Sequence, residues 1–262
     1  MIPPVDNGAP PGRARTCRLL GTQENRLARV IEAAGITVVG PERPADFVVA
    51  VGGDGALLGA DRDFPHLPKV PLRRNSEVVK CPVHEDEAVF ARIARGLQSV
   101  TILPRLEAEV RGRRIHCIND IVFHNARVTS GVRCRVRIDG DLYADEIVGD
   151  GIVASTPFGS SAYYRSITKS VIRTGLGLAF NNSTEAVNHL VLGTSAVVEI
   201  EVTRGPGLVV ADNMLEPIQV DAGDVLTIRL AAHGAVVWEL GALTCRDCRM
   251  RATGKPAGFR HV

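Results

Sequence analysis

The chain has 262 residues, of which 45% are apolar and 4% aromatic, with a net charge of +2. That length suits one large domain or two smaller ones, and the apolar share is enough for a sizeable core. Scattered charge and few aromatic rings speak against a nucleic-acid surface, and no apolar run approaches the ~18 residues of a membrane-spanning helix.

The N-terminal "MIPPVDNGAPPGRAR" is rich in Pro and Gly and lacks the apolar segment of a secretory signal. Residues 1–13 therefore read as a disordered tail and the chain as cytoplasmic. "TCRLLG" predicts a short buried strand. "TQENRLARVIEAAG" predicts a helix, with Leu27, Val30, Ile31 and Ala34 on one face, Thr22 as cap and Gly35 as terminator. "ITVVG", "DFVVAV" and "KVPLRRN" predict further strands. Near-continuous apolar strands alternating with helices imply a parallel sheet covered on both faces. "HEDEAVFARIARG" predicts a helix, with Glu85, Asp86 and Glu87 in its first turn and Arg92 and Arg95 toward its end.

Beyond residue 100 the texture becomes β-rich. "RLEAEVRGRRIHCINDIVFH", "RCRVRIDGDLYADEIVG", "SAVVEIEVTRG", "GLVVADN" and "DVLTIRLAA" read as strands. Cys134, Val136 and Ile138 alternate with Arg133, Arg135 and Arg137, the period of a half-buried strand, and Asp139-Gly140 is a two-residue hairpin turn. Many short strands separated by turns predict a sandwich or barrel. The expected organisation is an α/β unit over residues 14–99 and a mostly β unit over 100–235.

Six cysteines, Cys17, Cys81, Cys117, Cys134, Cys245 and Cys248, are scattered along the chain and read as reduced thiols. Cys245 and Cys248 form one C-x-x-C. A zinc site needs a second ligand pair, and a redox motif needs a strand before it and a helix after it. Neither is evident in the sequence, so the cysteines are expected to be structural and no metal ligands are assigned.

"FVVAVGGDGALLGA" places Gly52, Gly53, Asp54 and Gly55 where an apolar strand stops and a helix could start. The turn is open to two readings. Glycine and aspartate are common in tight turns. Alternatively, glycines at the C-terminal edge of a sheet let phosphates approach backbone N–H groups, and the aspartate serves as a general base toward a hydroxyl or as a metal ligand. No G-x-x-x-x-G-K-[ST] motif is present. In "CINDIVFHN", Asn119 and Asp120 stand in mid-strand, as a bulge or as a grip on a ribose diol. "VGDGIVASTPFGSSAYY" leads from Asp150-Gly151 through a strand into a turn rich in hydroxyls and backbone donors, with a helix start at Ser160 or Ser161.

In this order, the three segments resemble the NAD kinase family, which carries a G-G-D-G turn, an Asn-Glu or Asn-Asp pair, and a D-G…T-P-x-G-S-x-A-Y segment. Diacylglycerol, sphingosine and 6-phosphofructo-kinases share turns like the first, whereas the third is much more specific. The resemblance implies a short Rossmann-like N-terminal domain and a β-sandwich C-terminal domain, with residues 236–262 returning to the first domain or trailing as a tail. It implies transfer of the terminal phosphate of ATP, or of polyphosphate, to the adenosine-ribose 2′-hydroxyl of NAD, giving NADP. Mg2+ or another divalent cation would accompany ATP, and the assembly would be a homodimer or homotetramer. It further implies Asp54 as base, Gly52, Gly53 and Gly55 facing the donor phosphates, and Asn119 and Asp120 on NAD hydroxyls. Ser161, Ala162 and Tyr163 would line the adenine and ribose pocket, with Thr156 and Ser160 as further nucleotide-binding residues. Asp150 would reach the nicotinamide side, and Asp212, followed by Asn213, is a further contact.

Where the family has N-x-G-x-L-G-F, this chain reads "VPLRRNSEVVKCPVHEDE". Asn75 matches, but the glycines and the phenylalanine do not. Arg73, Arg74 and Lys80 stand there instead, as phosphate contacts or as a solvated loop. Two alternatives therefore accompany an NAD kinase: a kinase of this fold for another hydroxyl compound, and a catalytically silent nucleotide-binding protein.

Overall fold

A computed structural model describes residues 14–21, 25–74, 80–245, 247 and 248. The expected tail over 1–13, the cap at Thr22, Asn75 and the chain beyond 248 lie outside them. The described residues divide into two compact units, one of residues 14–102 and 236–248, the other of residues 103–235.

The first unit begins with β1 (Thr16–Gly21), α1 (Asn25–Ala33), β2 (Thr37–Val38), β3 (Phe47–Gly52), α2 (Asp54–Asp63) and β4 (Lys69–Arg73). A 3-10 turn (Pro82–His84), α3 (Asp86–Ala94) and β5 (Val100–Leu103) follow. The second unit holds β6 (Leu106–Val110), β7 (Arg113–Cys117), β8 (Asp120–Asn125), β9 (Val132–Ile138), β10 (Asp141–Gly149) and β11 (Gly151–Ser155). After a 3-10 turn (Gly159–Ser161) come α4 (Tyr163–Thr168), β12 (Leu176–Asn181), β13 (His189–Leu192) and β14 (Val197–Arg204). β15 (Gly207–Ala211), β16 (Ile218–Val220) and β17 (Val225–Leu230) complete it, before the chain returns to the first unit as β18 (Ala235–Trp238) and α5 (Gly241–Thr244).

The first sheet runs β2-β1-β3-β4-β18-β5. β3 shows why its sequence is apolar at every position. Phe47, Val49 and Val51 pack with Leu27, Ile31, Phe90 and Ile93 of α1 and α3. Val48 and Ala50 face the other way, onto Ala56 and Ala60 of α2. Both faces are covered, so polar residues have no place along the strand. The second strand is shorter than "ITVVG" suggests: β2 has two residues, and Pro41, which lacks an N–H, follows soon after. α3 begins at Asp86, so Glu85 occupies the N-cap position and not the first turn. The resemblance implies that the last stretch of chain returns to the first domain, but the strand β18 is not among those read from the sequence. It pairs parallel with β4, and Glu239 just beyond it accepts from the Arg92 guanidinium and, at 2.8 Å, from Ser99 N. Lys69 of β4 is fully buried, and its ammonium is neutralised by Asp61 of α2 and donates to Pro65 O.

One further cluster in this unit corrects an expectation. Cys245 and Cys248 meet Cys81 and His84, and the four ligand-type atoms all lie within 4.8 Å of one another. A second ligand pair, the C-x-x-H of Cys81 and His84, therefore does accompany the C-x-x-C.

The second unit is a β-sandwich. Its sheets run β10-β9-β14-β17-β6-β7 and β13-β12-β11-β8-β15-β16. Ala108, Val136, Ile200 and Ile228 of one sheet share a core with Phe123, Ile152, Leu178 and Val209 of the other. Turns Arg111-Gly112 and Asp139-Gly140 have positive φ at both residues (52° and 71°, 54° and 87°), the geometry that two-residue hairpins need. The stretch through Cys117 and Asp120 is not one strand. β7 ends at Cys117 in the first of these sheets and β8 starts at Asp120 in the second, so Asn119 sits at a crossing between sheets and not in mid-strand.

Candidate functional site

Candidate residues gather in two places, one in each unit. In the first, Gly52 ends β3 with φ 152°, Gly53 is extended, and Asp54 opens α2. A Cβ added at Gly53 or Gly55 would meet nothing within 4 Å. Packing does not demand glycine there, and the space left beside the N-terminus of α2 suits an approaching anion. The Asp54 carboxylate, 36% exposed, accepts from Arg73 Nη2 at 3.1 Å. Arg73 ends β4 in register with Gly52, so parallel pairing brings both residues to one sheet edge. Its Nε donates to Leu243 O at 3.0 Å.

Arg74 and Lys80 are engaged differently. Both donate to the Asp86 carboxylate, and all three side chains are largely buried. Burial alone would raise the Asp86 pKa, but these two hydrogen-bonded cations outweigh it and hold the group below the usual carboxylate range. Arg73 thus joins the Asp54 carboxylate to the end of β4. A 470 Å³ cleft at the β1–β2 side of the same sheet, lined by Arg18, Pro41 and Phe64, contains none of the motif residues.

In the second unit the crossing at Asn119 is clamped from two sides. The Asp212 carboxylate accepts from three successive backbone N–H groups, Ile118 at 2.8 Å, Asn119 at 2.9 Å and Asp120 at 3.1 Å. From the other side, Thr156 N and Ser155 Oγ donate to Asn119 O at 2.9 and 3.2 Å. Thr156 Oγ1 donates to Ile118 O and accepts from Gly159 N. Gly159 lies so close to this backbone that an added Cβ would sit 2.2 Å from Asn119 O. The glycine of T-P-x-G-S is therefore required by the Asn119 backbone, and the two motifs form one packed body.

The clamp leaves specific groups uncommitted to the fold. Asn119 Oδ1 is buried with no hydrogen-bond partner among the described residues. Beside it Asp120 is 8% exposed, and burial first, then the Asp212 charge, push its pKa up to about 7. Thr156 and Ser160 are fully buried, and the Ser160 hydroxyl is used by Pro157 O and Ile172 N, so both shape the loop from within. Ser161 and Tyr163 are half-buried and Ala162 is exposed. Asp150 accepts from Asn182 Nδ2 at 3.0 Å and Asn125 Nδ2 at 3.4 Å, while Asn181 Nδ2 donates to the Tyr163 hydroxyl at 3.2 Å. Burial first, then the charges of Asp150 and Asp120, raise the Tyr163 pKa. Asn125, Asn181 and Asn182 were missed in the sequence. Their signal was the one used for Asn119, an amide closing an apolar run, as in "GLAFNN".

Residues 118–239 match the family model of the ATP-NAD kinase C-terminal domain, which spans both halves of this clamp. The chain is 29% identical over 157 residues to NAD kinase 2 of Bacillus subtilis (strain 168), covering 57% of this chain and 58% of that one. It is 30% identical over 152 residues to the NAD kinase of Pseudomonas fluorescens (strain SBW25), covering 53% and 51%. Over little more than half of its length, this chain is similar to NAD kinases. The matches span little more than half the length of these curated relatives. A common fold with solved structures extends over nearly the whole chain. Yeast NADH kinase, solved in complex with NADH, superposes with a TM-score of 0.75 at 16% identity, covering 95% of this chain and 90% of that one. An NAD kinase from Archaeoglobus fulgidus in complex with ATP gives 0.69 at 19% identity, covering 92% and 96%.

The raised Asp120 pKa has a measurable sign. A carboxyl with a folded pKa of about 7, against 3.8 ordinarily, binds its proton more tightly when folded. Its contribution to stability is present below about pH 4 and falls away as pH rises through 7, after which it stays lost. Asp120→Asn, which carries no charge to bury, should therefore gain thermal stability relative to wild type between pH 5 and 8. Parallel melting curves of the two proteins over that range would contradict the assignment.

Proposed function

We propose that this chain transfers the terminal phosphate of ATP to the adenosine-ribose 2′-hydroxyl of NAD, producing NADP. The observation that carries the reading is the paired arrangement at the sheet crossing. The buried, unpartnered Asn119 Oδ1 is an acceptor, and Asp120, poised near neutrality, is an acceptor or a donor. Two adjacent polar groups of that kind suit a ribose diol. In the first unit, Asp54 accepts the hydroxyl proton as the ribose oxygen bonds to the terminal phosphorus and the bridging P–O bond breaks, releasing ADP. The backbone around Gly53 and Gly55 receives the donor phosphates, and Arg73 offsets their charge. Arg74 and Lys80 support that region through Asp86. Ser161, Ala162 and Tyr163 face the adenosine, and Asp150 faces the nicotinamide end. The divalent cation arrives with ATP as part of the substrate, because Mg2+ is commonly held by substrate phosphates and only one or two carboxylates. The same reading carries a cytoplasmic homodimer or homotetramer, the assembly being checked by light scattering.

The test is turnover by the purified full chain with ATP and Mg2+, offering NAD against NADH, other nucleosides and sugars, with polyphosphate as a second donor. Asn119→Ala should raise KM for NAD about 2–10-fold, since a lost hydrogen bond to an uncharged group removes about 0.5–1.5 kcal/mol. KM for ATP should stay put. If both constants are unchanged while the melting temperature falls, the amide is structural. One observation favours a second reading, the same transfer to a different hydroxyl compound: the Arg74–Lys80–Asp86 cluster stands where the family carries N-x-G-x-L-G-F. Activity on another acceptor in the panel, with none on NAD, would select it.

A further inference from the structure

We propose that Cys81, His84, Cys245 and Cys248 form a structural zinc site that fastens the returning end of the chain to the segment after β4. Four protein ligands in tetrahedral order are the pattern of structural zinc, and three thiolates with one imidazole are soft enough to prefer it over magnesium or calcium. The two pairs, C-x-x-H and C-x-x-C, have the short spacing typical of such sites.

Three of the distances between ligand atoms match a shared ion, and all lie within 4.8 Å. Ligand atoms about 2.0–2.3 Å from a central zinc stand roughly 3.3–3.8 Å apart. Cys81 Sγ lies 3.8 Å from Cys245 Sγ and 3.4 Å from Cys248 Sγ, while His84 Nδ1 lies 3.0 Å from Cys81 Sγ and 3.7 Å from Cys248 Sγ. All four cysteine and histidine positions converge without a bonded sulfur pair.

The surroundings are built for the same purpose. Cys81 N donates to Cys248 Sγ at 3.3 Å, and the backbone N–H groups of Asp247 and Cys248 donate to Cys245 Sγ. N–H donors to sulfur stabilise bound thiolates and orient them. His84 turns Nδ1 toward the sulfurs, and its Nε2 side lies against Gly241, where an added Cβ would come within 2.7 Å of Nε2. Glycine at 241 is thus what lets the imidazole reach the cluster. With four protein ligands no position is left for water or substrate, so the ion's role is to hold the chain together. The inference stands apart from the kinase reading, because metal content can be read without any activity.

The experiment is elemental analysis of the full chain, purified with reductant and without chelator, followed by cobalt(II) titration of the reduced, metal-free protein. About one zinc per chain is expected, with cobalt giving tetrahedral absorption bands and thiolate-to-cobalt charge transfer. Cys245→Ser/Cys248→Ser should lose the stoichiometric zinc. Gly241→Ala should weaken zinc about 10–100-fold, the usual effect of disturbing a ligand's support. If the variants do not fold, the cobalt spectrum of wild type still decides. Reduced wild-type protein that neither contains zinc nor takes up cobalt overturns the proposal. So do an iron-sulfur chromophore in place of zinc and full zinc content in the double cysteine variant.

Discussion

Replacing Asp54 with asparagine should lower kcat by about 10²–10⁴-fold, the usual contribution of a general base. That corresponds to about 2.7–5.4 kcal/mol of barrier. The structural roles open to this carboxylate are much smaller. Its partly exposed ion pair with Arg73 contributes about 0–1 kcal/mol, and its place in the first turn of α2 about 0.3–1 kcal/mol. Asparagine keeps an oxygen for Arg73 and a good residue for a helix start. Stability and nucleotide affinity should therefore change little while turnover collapses. Pre-steady-state phosphate transfer, measured beside a melting curve, separates the two contributions. Turnover near wild type, or a melting temperature that falls in step with kcat, would remove Asp54 from the chemistry.

The second large effect is expected at Asp212. Its carboxylate satisfies three consecutive N–H groups at the crossing between sheets. Hydrogen bonds to a charged acceptor contribute about 1.5–3 kcal/mol each, but they are not additive, and water replaces part of what a half-buried group loses. A net loss of about 3 kcal/mol for Asp212→Ala is reasonable, which for a unit of this size lowers Tm by roughly 6–12 °C. The loosened crossing should also release Asn119 and Asp120 and weaken NAD binding at least tenfold. Asp212→Asn separates geometry from charge. It retains one acceptor while removing the charge that helps raise the Asp120 pKa, so the Asp120 titration should move to lower pH. Calorimetric melting and NAD titration of both variants test this, and an unchanged Tm in Asp212→Ala would show that water serves the three N–H groups equally well.

How far the sequence carries depends on whether a signal is local. The buried parallel strands, α1, α3 and the Asp139-Gly140 hairpin follow from patterns within ten residues or so, and each is present. The Asn119-Asp120 pair was visible as polar residues in an apolar run, but its cause was not. Only the change of sheet explains why the chain breaks there, and the Asp212 clamp lies more than ninety residues away. β18 has four residues and pairs with a strand from the start of the chain, which periodicity does not report. The Cys81–His84 pair escaped for the same reason: C-x-x-H is common by chance, and its partners lie 164 residues further on.

The position of β18 also bears on the order in which the protein is made. In the first sheet it lies between β4 and β5, yet it is synthesised after the whole of residues 103–235. At ~5–20 residues per second, the ribosome takes roughly 7–27 s to traverse that interval. The nascent second unit has time to fold as an inserted body while the first sheet still lacks an inner strand. Throughout that interval β4 is a bare edge, the kind of surface that recruits strands from other chains. Its sequence "KVPLR" places Lys69 and Pro71 on that edge, and lysine and proline are residues that discourage such pairing. Lys69 becomes buried against Asp61 in the finished fold, so one side chain serves the growing chain as a guard and the completed protein as half of an internal ion pair.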